Sequence, residues 1–303
     1  MFSFNFIHRS DTIKILWKGG MIFMDSYKVI IFDLDGTLFY KDQMISDNAA
    51  KKIIELEEKG IVIGLATGRF LNELDSFIEQ LQLKKYQGFV ICANGAEVID
   101  LAGGDQHKFS LLSKQECYEL IHLAKQYKLI SYIHEDNDYH VFVPGALKKI
   151  YKRMEILFSR INIPFFQAAS RLKLENNIVL HKDEYEKICF VGNHKSLVEF
   201  EEKVKLLNLD YAYYPSSMHS LEIVKQGISK FIASYWYLAR KKISLKEVIF
   251  FGDGGNDDEL ISNVGLGIAM KNALDSTKRA AHRVSQYTNR QDGVYKELSD
   301  LFN

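Results

Sequence analysis

Residues 28–32, KVIIF, carry four consecutive apolar side chains and so leave no polar face. A strand of that kind is buried on both sides, the condition of a parallel sheet covered by helices. The segments that follow keep to this plan. SDNAAKKIIELEEKG (46–60) offers Ser46 as N-cap, Ile53, Ile54 and Leu56 on one side, and Gly60 as a stop. IVIGLA (61–66) is a second strand, FLNELDSFIEQLQL (70–83) a second helix, and GFVICANG (88–95) a third strand. Strands alternating with helices predict βαβ units. AEVIDLAGGDQHKFSL (96–111) then reads as a hairpin turned by Gly103-Gly104.

The middle of the chain changes character. Ser113 and Glu116 form a capping box ahead of Leu120, Ile121, Ala124 and Tyr127. LISYIHEDNDYHVFV (129–143) reads as two strands about a turn at 136–138, and a helix is expected near 147–158. A strand KICFVG, a helix near 195–207 and a strand YAYY complete an α+β unit. The parallel pattern is then expected to resume with LEIV, EVIFFGDG, LGIAM and HRVS. The fold class is therefore α/β: a Rossmann-like core of residues 25–111 and 219–303, interrupted by an α+β insert of residues 112–218, a size that folds as its own domain. Residues 1–24 read as a dispensable extension, either an amphipathic anchor or a poorly ordered leader, with translation starting at Met24 in the second case.

Composition narrows the function classes. Lysine plus arginine and aspartate plus glutamate number 39 each, which argues against a partner held by bulk charge, nucleic acid or anionic membrane. Cys92, Cys117 and Cys189 have neither zinc-knuckle nor disulfide spacing and suit a reducing, cytoplasmic compartment. No apolar run approaches the roughly 18 residues of a membrane span. His134, His140, His181 and His219 lack metal-ligand spacing and read as surface or packed side chains.

Chemistry collects at the strand ends, where open α/β sheets bind ligands. Asp33-Leu34-Asp35-Gly36-Thr37 follows the first strand, Thr67-Gly68-Arg69 the second and Asn94-Gly95 the third. Gly252-Asp253-Gly254-Gly255-Asn256-Asp257 follows a late one, and Lys230 stands in GISKF. A calcium loop would need more acids than the first segment has. Asn94-Gly95 reads equally as a strand-ending turn, and Arg69 as a phosphate-side group or a helix-start surface charge.

The set DxDGT, Thr before Gly-Arg, a spaced Lys and GDGxND resembles the haloacid dehalogenase (HAD) superfamily of phosphohydrolases. Thirty positions separate Thr37 from Thr67, too few for an inserted domain, whereas 163 separate Thr67 from Lys230. That placement, with NGA before it and LEIVKQGISK after it, resembles the Cof-like phosphatases with a type IIB cap, over residues 28–298. Phe231 and Lys271 stand where the family usually has glycine.

The resemblance implies a Mg²⁺-dependent phosphatase of a small phosphorylated metabolite: a sugar phosphate, a nucleotide-related phosphate or a cofactor phosphate. It would work as a monomer or small homo-oligomer, with neither nucleic acid nor membrane as partner. Asp33 would be the nucleophile, forming an aspartyl-phosphate, and Asp35 the acid/base, facing the same side if the strand stays extended. Thr67 and Lys230 would hold the phosphoryl oxygens, with Gly68, Asn94 and Asn256 also on the phosphate or substrate side. An all-oxygen ligand set selects a hard cation. Asp33, Asp253 and the Asp35 carbonyl would be its ligands, while Asp257 orients metal-bound water or Lys230. A phosphotransferase or mutase on the same core, and a non-catalytic phospholigand sensor, are the alternatives.

Overall fold

The computed structural model describes residues 14–17, 20–23, 27–41, 43–147, 172–175 and 177–302. A hairpin of β1 (Lys14–Trp17) and β2 (Gly20–Phe23) comes first. Then follow β3 (Val29–Phe32), β4 (Val62–Ala66), β5 (Phe89–Cys92), β6 (Glu97–Asp100), β7 (Gln106–Lys108) and β8 (Leu112–Ser113). The middle holds β9 (Ile130–Glu135), β10 (Asp138–Phe142), β11 (Leu172–Glu175), β12 (Glu184–Tyr185), β13 (Ile188–Val191), β14 (Tyr211–Ser217) and β15 (Ser220–Lys225). The chain closes with β16 (Val248–Gly252), β17 (Leu266–Ala269) and β18 (Arg283–Val284).

Two sheets dominate. The larger has eight strands in the order β18-β17-β16-β3-β4-β5-β6-β7. Pairing is parallel from β18 to β5 and antiparallel from β5 through β6 to β7. The four apolar residues of β3 are fully buried, and they divide by period two between opposite faces. Ile30 and Phe32 join Ile53 and Leu56 of the Asp47–Glu58 helix and Leu298 of the Gly293–Leu301 helix. Val29 and Ile31 join Ala233 and Leu238 of the Lys230–Arg240 helix and Leu260 of the Asp258–Asn263 helix. Burying each large aliphatic side chain contributes about 1.5–3 kcal/mol, so this strand is pinned from both sides.

The second sheet runs β11-β10-β9-β13-β15-β14, antiparallel except where β10 meets β11. The helices Lys114–Gln126 and His194–Leu206 cover one face through Leu120, Ile121, Leu197 and Phe200. The other face meets the larger sheet's loops, where Phe70, Ala93 and Ala96 pack on Val224 and Ile228.

Several expectations hold and some do not. Ser46 caps the first helix by accepting from Ala49 N–H at 3.0 Å, and the Ser113–Glu116 capping box is present. The hairpins at 97–108 and 130–142 form as read. The helix expected over 70–83 is instead a short 3₁₀ turn, Leu71–Glu73, followed by a six-residue helix, Asp75–Gln80. Glu73 turns back to accept the Phe70 N–H at 2.9 Å, so the first turn closes on itself at Leu74. LEIV does not resume the parallel sheet: as part of β15 it lies between β13 and β14 in the second sheet. An apolar/polar alternation reports a half-buried strand without saying which sheet it joins. The helix expected near 147–158, apart from its first residue, and residues 1–13 lie outside the described residues.

Candidate active site

The parallel strands of the larger sheet deliver their carboxyl ends to one edge. Asp33 directly follows β3, and its N–H bonds the Phe251 carbonyl of β16 at 2.9 Å. Asp253 directly follows β16, Thr67 directly follows β4, and Asn94 lies in the turn after β5. Lys230 is the first residue of its helix, capped by Ser229, whose Oγ accepts from Ile232 N–H at 3.1 Å. The helix thereby starts at the edge of the sheet and sends its first side chain inward.

Lys230 is the hub. Its Nζ donates to Asp33 Oδ1 at 2.6 Å and to Asp257 Oδ1 at 2.7 Å, and its side chain is wholly buried. Asp257 Oδ2 accepts from the N–H groups of Asp253 at 2.9 Å and Gly254 at 3.0 Å. One Asp257 carboxylate thus orients the lysine and shapes the turn that presents Asp253. Thr37 Oγ1 donates to Asp253 Oδ1 at 2.7 Å, tying the first motif to the last.

Burial raises the Asp33 pKa well above the ordinary carboxylate value; Lys230 opposes the rise, and Asp257 and Asp253 add to it. Asp253 is pushed up to about 6, first by burial and then by the Asp257 charge. For Lys230, burial acts downward, and the Asp257 and Asp33 carboxylates more than reverse it, so the ammonium is held protonated. The surplus of negative charge is what a cation relieves. Carboxylate oxygens of Asp33, Asp253 and Asp257 lie within 4.8 Å of one another, an all-oxygen donor set that fits a small hard ion. Gly36 keeps this pocket open. At φ +85°, a Cβ there would stand 2.2 Å from Asp253 Oδ2.

Asp35 parts company with Asp33. The strand stops at Phe32, and the chain turns through Gly36, leaving the Asp35 side chain 55% exposed. Arg69 grips it with two bonds of 2.7 Å, Nε to Oδ2 and Nη2 to Oδ1, while its guanidinium lies 4.8 Å above the Phe39 ring. Arg69, ambiguous in sequence, is the partner of the second acid.

Thr67 is buried, and its Oγ1 accepts the Arg69 N–H at 3.1 Å. Its carbonyl accepts from Asn94 N–H at 3.0 Å, which joins the loops after β4 and β5. Asn94 is left-handed at φ 59° and buried; its Oδ1 accepts from Asn256 Nδ2 at 2.9 Å, and its Nδ2 donates to Glu222 on β15. The Asn94-Gly95 turn also sets the Lys230 helix: a Cβ on Gly95, at φ +102°, would lie 2.2 Å from the Ser229 carbonyl. Gly68 offers its carbonyl to Lys187 Nζ at 2.7 Å.

All nine residues singled out from the sequence therefore lie in or around one cluster, with Asp35 at its exposed margin. Sequence reasoning gave no role to Lys187, the first residue of KICFVG, or to Glu222 within LEIVKQGISK; both reach the cluster from the second sheet. Ser229 was readable as an N-cap in GISKF. Phe231 is half-buried among Ala233 and its neighbours, and Lys230 keeps both carboxylate partners beside it. Lys271 is exposed. His134 packs face-on against Phe70, with ring centres 3.9 Å apart.

Residues 30–298 match the family model of haloacid dehalogenase-like hydrolases. A 5-amino-6-(5-phospho-D-ribitylamino)uracil phosphatase of Bacillus subtilis, YcsE, is 29% identical over 89% of this chain and 94% of its own. An HMP-PP phosphatase of Serratia proteamaculans is 27% identical over 83% of this chain and 86% of its own. A haloacid dehalogenase-like hydrolase from Bacteroides thetaiotaomicron superposes with a TM-score of 0.73 at 26% identity, covering 91% of this chain and 100% of that one. A sugar phosphatase of HAD subclass IIB shares the fold at TM-score 0.68 and 20% identity, covering 90% of this chain and 98% of that one. The chain belongs to the haloacid dehalogenase-like hydrolases.

Proposed function

We propose that the protein hydrolyses a small phosphorylated metabolite in the presence of Mg²⁺, through a phosphoryl group carried on Asp33. The observation that carries this reading is the buried Asp33–Lys230–Asp257 chain beside Asp253, at the carboxyl edge of the parallel sheet. Asp33 and Asp253, with the Asp35 carbonyl, would hold Mg²⁺, which when bound offsets the repulsion between nucleophile and phosphate dianion.

The chain's own groups divide the rest of the work. The Asp33 carboxylate attacks phosphorus as the bond to the leaving oxygen breaks. Thr67 Oγ1 and Lys230 Nζ hold the phosphoryl oxygens while charge redistributes over them, and Lys230 keeps Asp33 in line. Asp35 hands a proton to the leaving oxygen. It then takes a proton from the water that attacks the phosphoaspartate, releasing phosphate and restoring Asp33. Arg69 anchors Asp35 at the mouth of the site between these steps. Gly68, Asn94 and Asn256 frame the phosphate side.

The second sheet acts as a cap that excludes water and selects the leaving group. The sequence reading ends it at residue 218; membership of β15 in its sheet favours a boundary after Lys225. The named relatives suggest phosphorylated pyrimidines and ribityl compounds as the first panel of substrates. Free cysteines at 92, 117 and 189 suit a cytoplasmic location, and among the described residues no helix is long and apolar enough to cross a membrane.

Asp33→Asn tests the mechanism. Turnover of a generic aryl phosphate with Mg²⁺ should fall by at least about a thousandfold. Far-UV circular dichroism should stay native, because the change removes a charge whose burial is unfavourable. A variant that keeps its activity refutes the phosphoaspartate route.

A further inference from the structure

The two sheets meet at a polar joint, and the proposed chemistry does not use the two side chains that the second sheet brings to it. Lys187 immediately precedes β13, and Glu222 lies on the neighbouring β15, where it pairs with Cys189. Lys187 Nζ donates to Glu222 Oε1 at 2.6 Å and to the Gly68 carbonyl at 2.7 Å. Glu222 Oε2 accepts from Asn94 Nδ2, and Asn94 Oδ1 accepts from Asn256 Nδ2 at 2.9 Å. An unbroken polar chain therefore runs Gly68–Lys187–Glu222–Asn94–Asn256. The lysine and glutamate side chains are only 10% and 14% exposed, so water replaces their partners poorly.

The charged pair lies wholly within the second sheet, and would stay together if that sheet lifted. Its two outward bonds end on the core, one on the loop after β4 and one on the turn after β5. Those loops carry Thr67 and Asn94, and Asn94 in turn holds Asn256 from the loop after β16. A charge-assisted bond aligns its acceptor more firmly than a neutral one. The ammonium on Gly68 thus fixes the peptide next to the Thr67 hydroxyl. The carboxylate on Asn94 holds a left-handed residue that needs external support.

We infer that Lys187 and Glu222 are positioning residues: they align the phosphate-side loops only while the second sheet is seated on the core. This rests on the phosphatase reading above and deepens it. Activity becomes conditional on cap closure through these two side chains.

The test uses the full-length protein and the variants Lys187→Met, Glu222→Gln and Lys187→Arg. Hydrogen exchange, measured without substrate, should rise about tenfold at residues 67–70 and 94–96 in the first two variants. With an aryl phosphate, kcat should fall about ten- to hundredfold while KM moves less than about threefold. Lys187→Arg should recover most of kcat, and the Met/Gln double variant should lose no more than the worse single one. Unchanged exchange in Lys187→Met and Glu222→Gln overturns the joint, and raised exchange with wild-type kcat overturns its positioning role. The exchange measurement needs no turnover. A wild type inactive on every phosphate would refute the phosphatase reading, leaving exchange to decide the joint alone.

Discussion

Asp33 and Glu57 are both buried carboxyls, and their surroundings set them to different tasks. Asp33 has Lys230 at 2.6 Å and two further carboxylates nearby, a charged environment. Glu57, in the last turn of the Asp47–Glu58 helix, is 4% exposed, and among the described residues neither of its oxygens has a hydrogen-bond partner. Burial pushes its pKa from 4.5 up to about 8, with Lys85 opposing. The folded value exceeds the unfolded one, so its contribution to stability is complete below 4.5 and is lost as pH rises through about 8. Glu57→Gln should therefore leave the Tm nearly unchanged near about pH 5 and raise it at about pH 9. Parallel Tm-versus-pH curves for the two proteins would show that Glu57 is not held neutral. At this scale the sequence marked Asp33, Asp253 and Asp257, whose carboxylates the fold brings together. It did not reveal that Asp35 points out to Arg69, because two residues on an assumed strand share a face only if the strand continues, and this one ends at Phe32.

The Lys230–Arg240 helix shows how an element carries function by where it begins. Ser229 caps it through Ile232 N–H and also donates to Glu259 Oε2 at 2.8 Å, binding the cap to the Asp258–Asn263 helix. Gly95 lets the neighbouring turn approach closely enough to hold that start in place. Ser229→Ala should cost about 1 kcal/mol of stability in chemical denaturation. It should also lower kcat, because Lys230 is the very next residue and its direction depends on the helix start. Full activity in a destabilised variant would separate the cap from the chemistry. Elements with strong local signals were legible before folding: Ser46, the Ser113–Glu116 box and the two hairpins. Those whose identity depends on packing were not. The stretch 70–83 has helical spacing in Leu71, Leu74, Phe77 and Leu81, yet Glu73 capping Phe70 and the contact of Phe70 with His134 of the second sheet divide it.

For the molecule as a whole, the decisive feature is a charge excess at the meeting of sheets. With Asp253 raised to about 6 from an ordinary 3.8, its folded-state cost is absent below 3.8 and grows as pH rises through 6. Mg²⁺ should therefore raise the Tm, and more so at neutral than at acidic pH; at a hundredfold excess over Kd the gain is about 2.7 kcal/mol. Asp253→Asn should abolish most of that gain, and a Mg²⁺-independent melting curve for the native protein would remove the cation from the site.

What the sequence determined alone follows from rules that act over a few residues: strand and helix periods, caps, turns, and the dipeptide-scale motifs whose order resembles a known superfamily. Those rules sufficed for the α/β class with its inserted unit, and they marked nine residues that the fold gathers in or around one cluster. Tertiary structure alone decided which sheet β15 joins, how Arg69 and Asp35 pair, and that Lys187 and Glu222 reach across to Gly68 and Asn94. These are contacts between residues far apart in the chain, formed when separately folded faces pack together. No local pattern encodes them, because the energy that selects them comes from burial and pairing that exist only after distant segments of the chain have packed together.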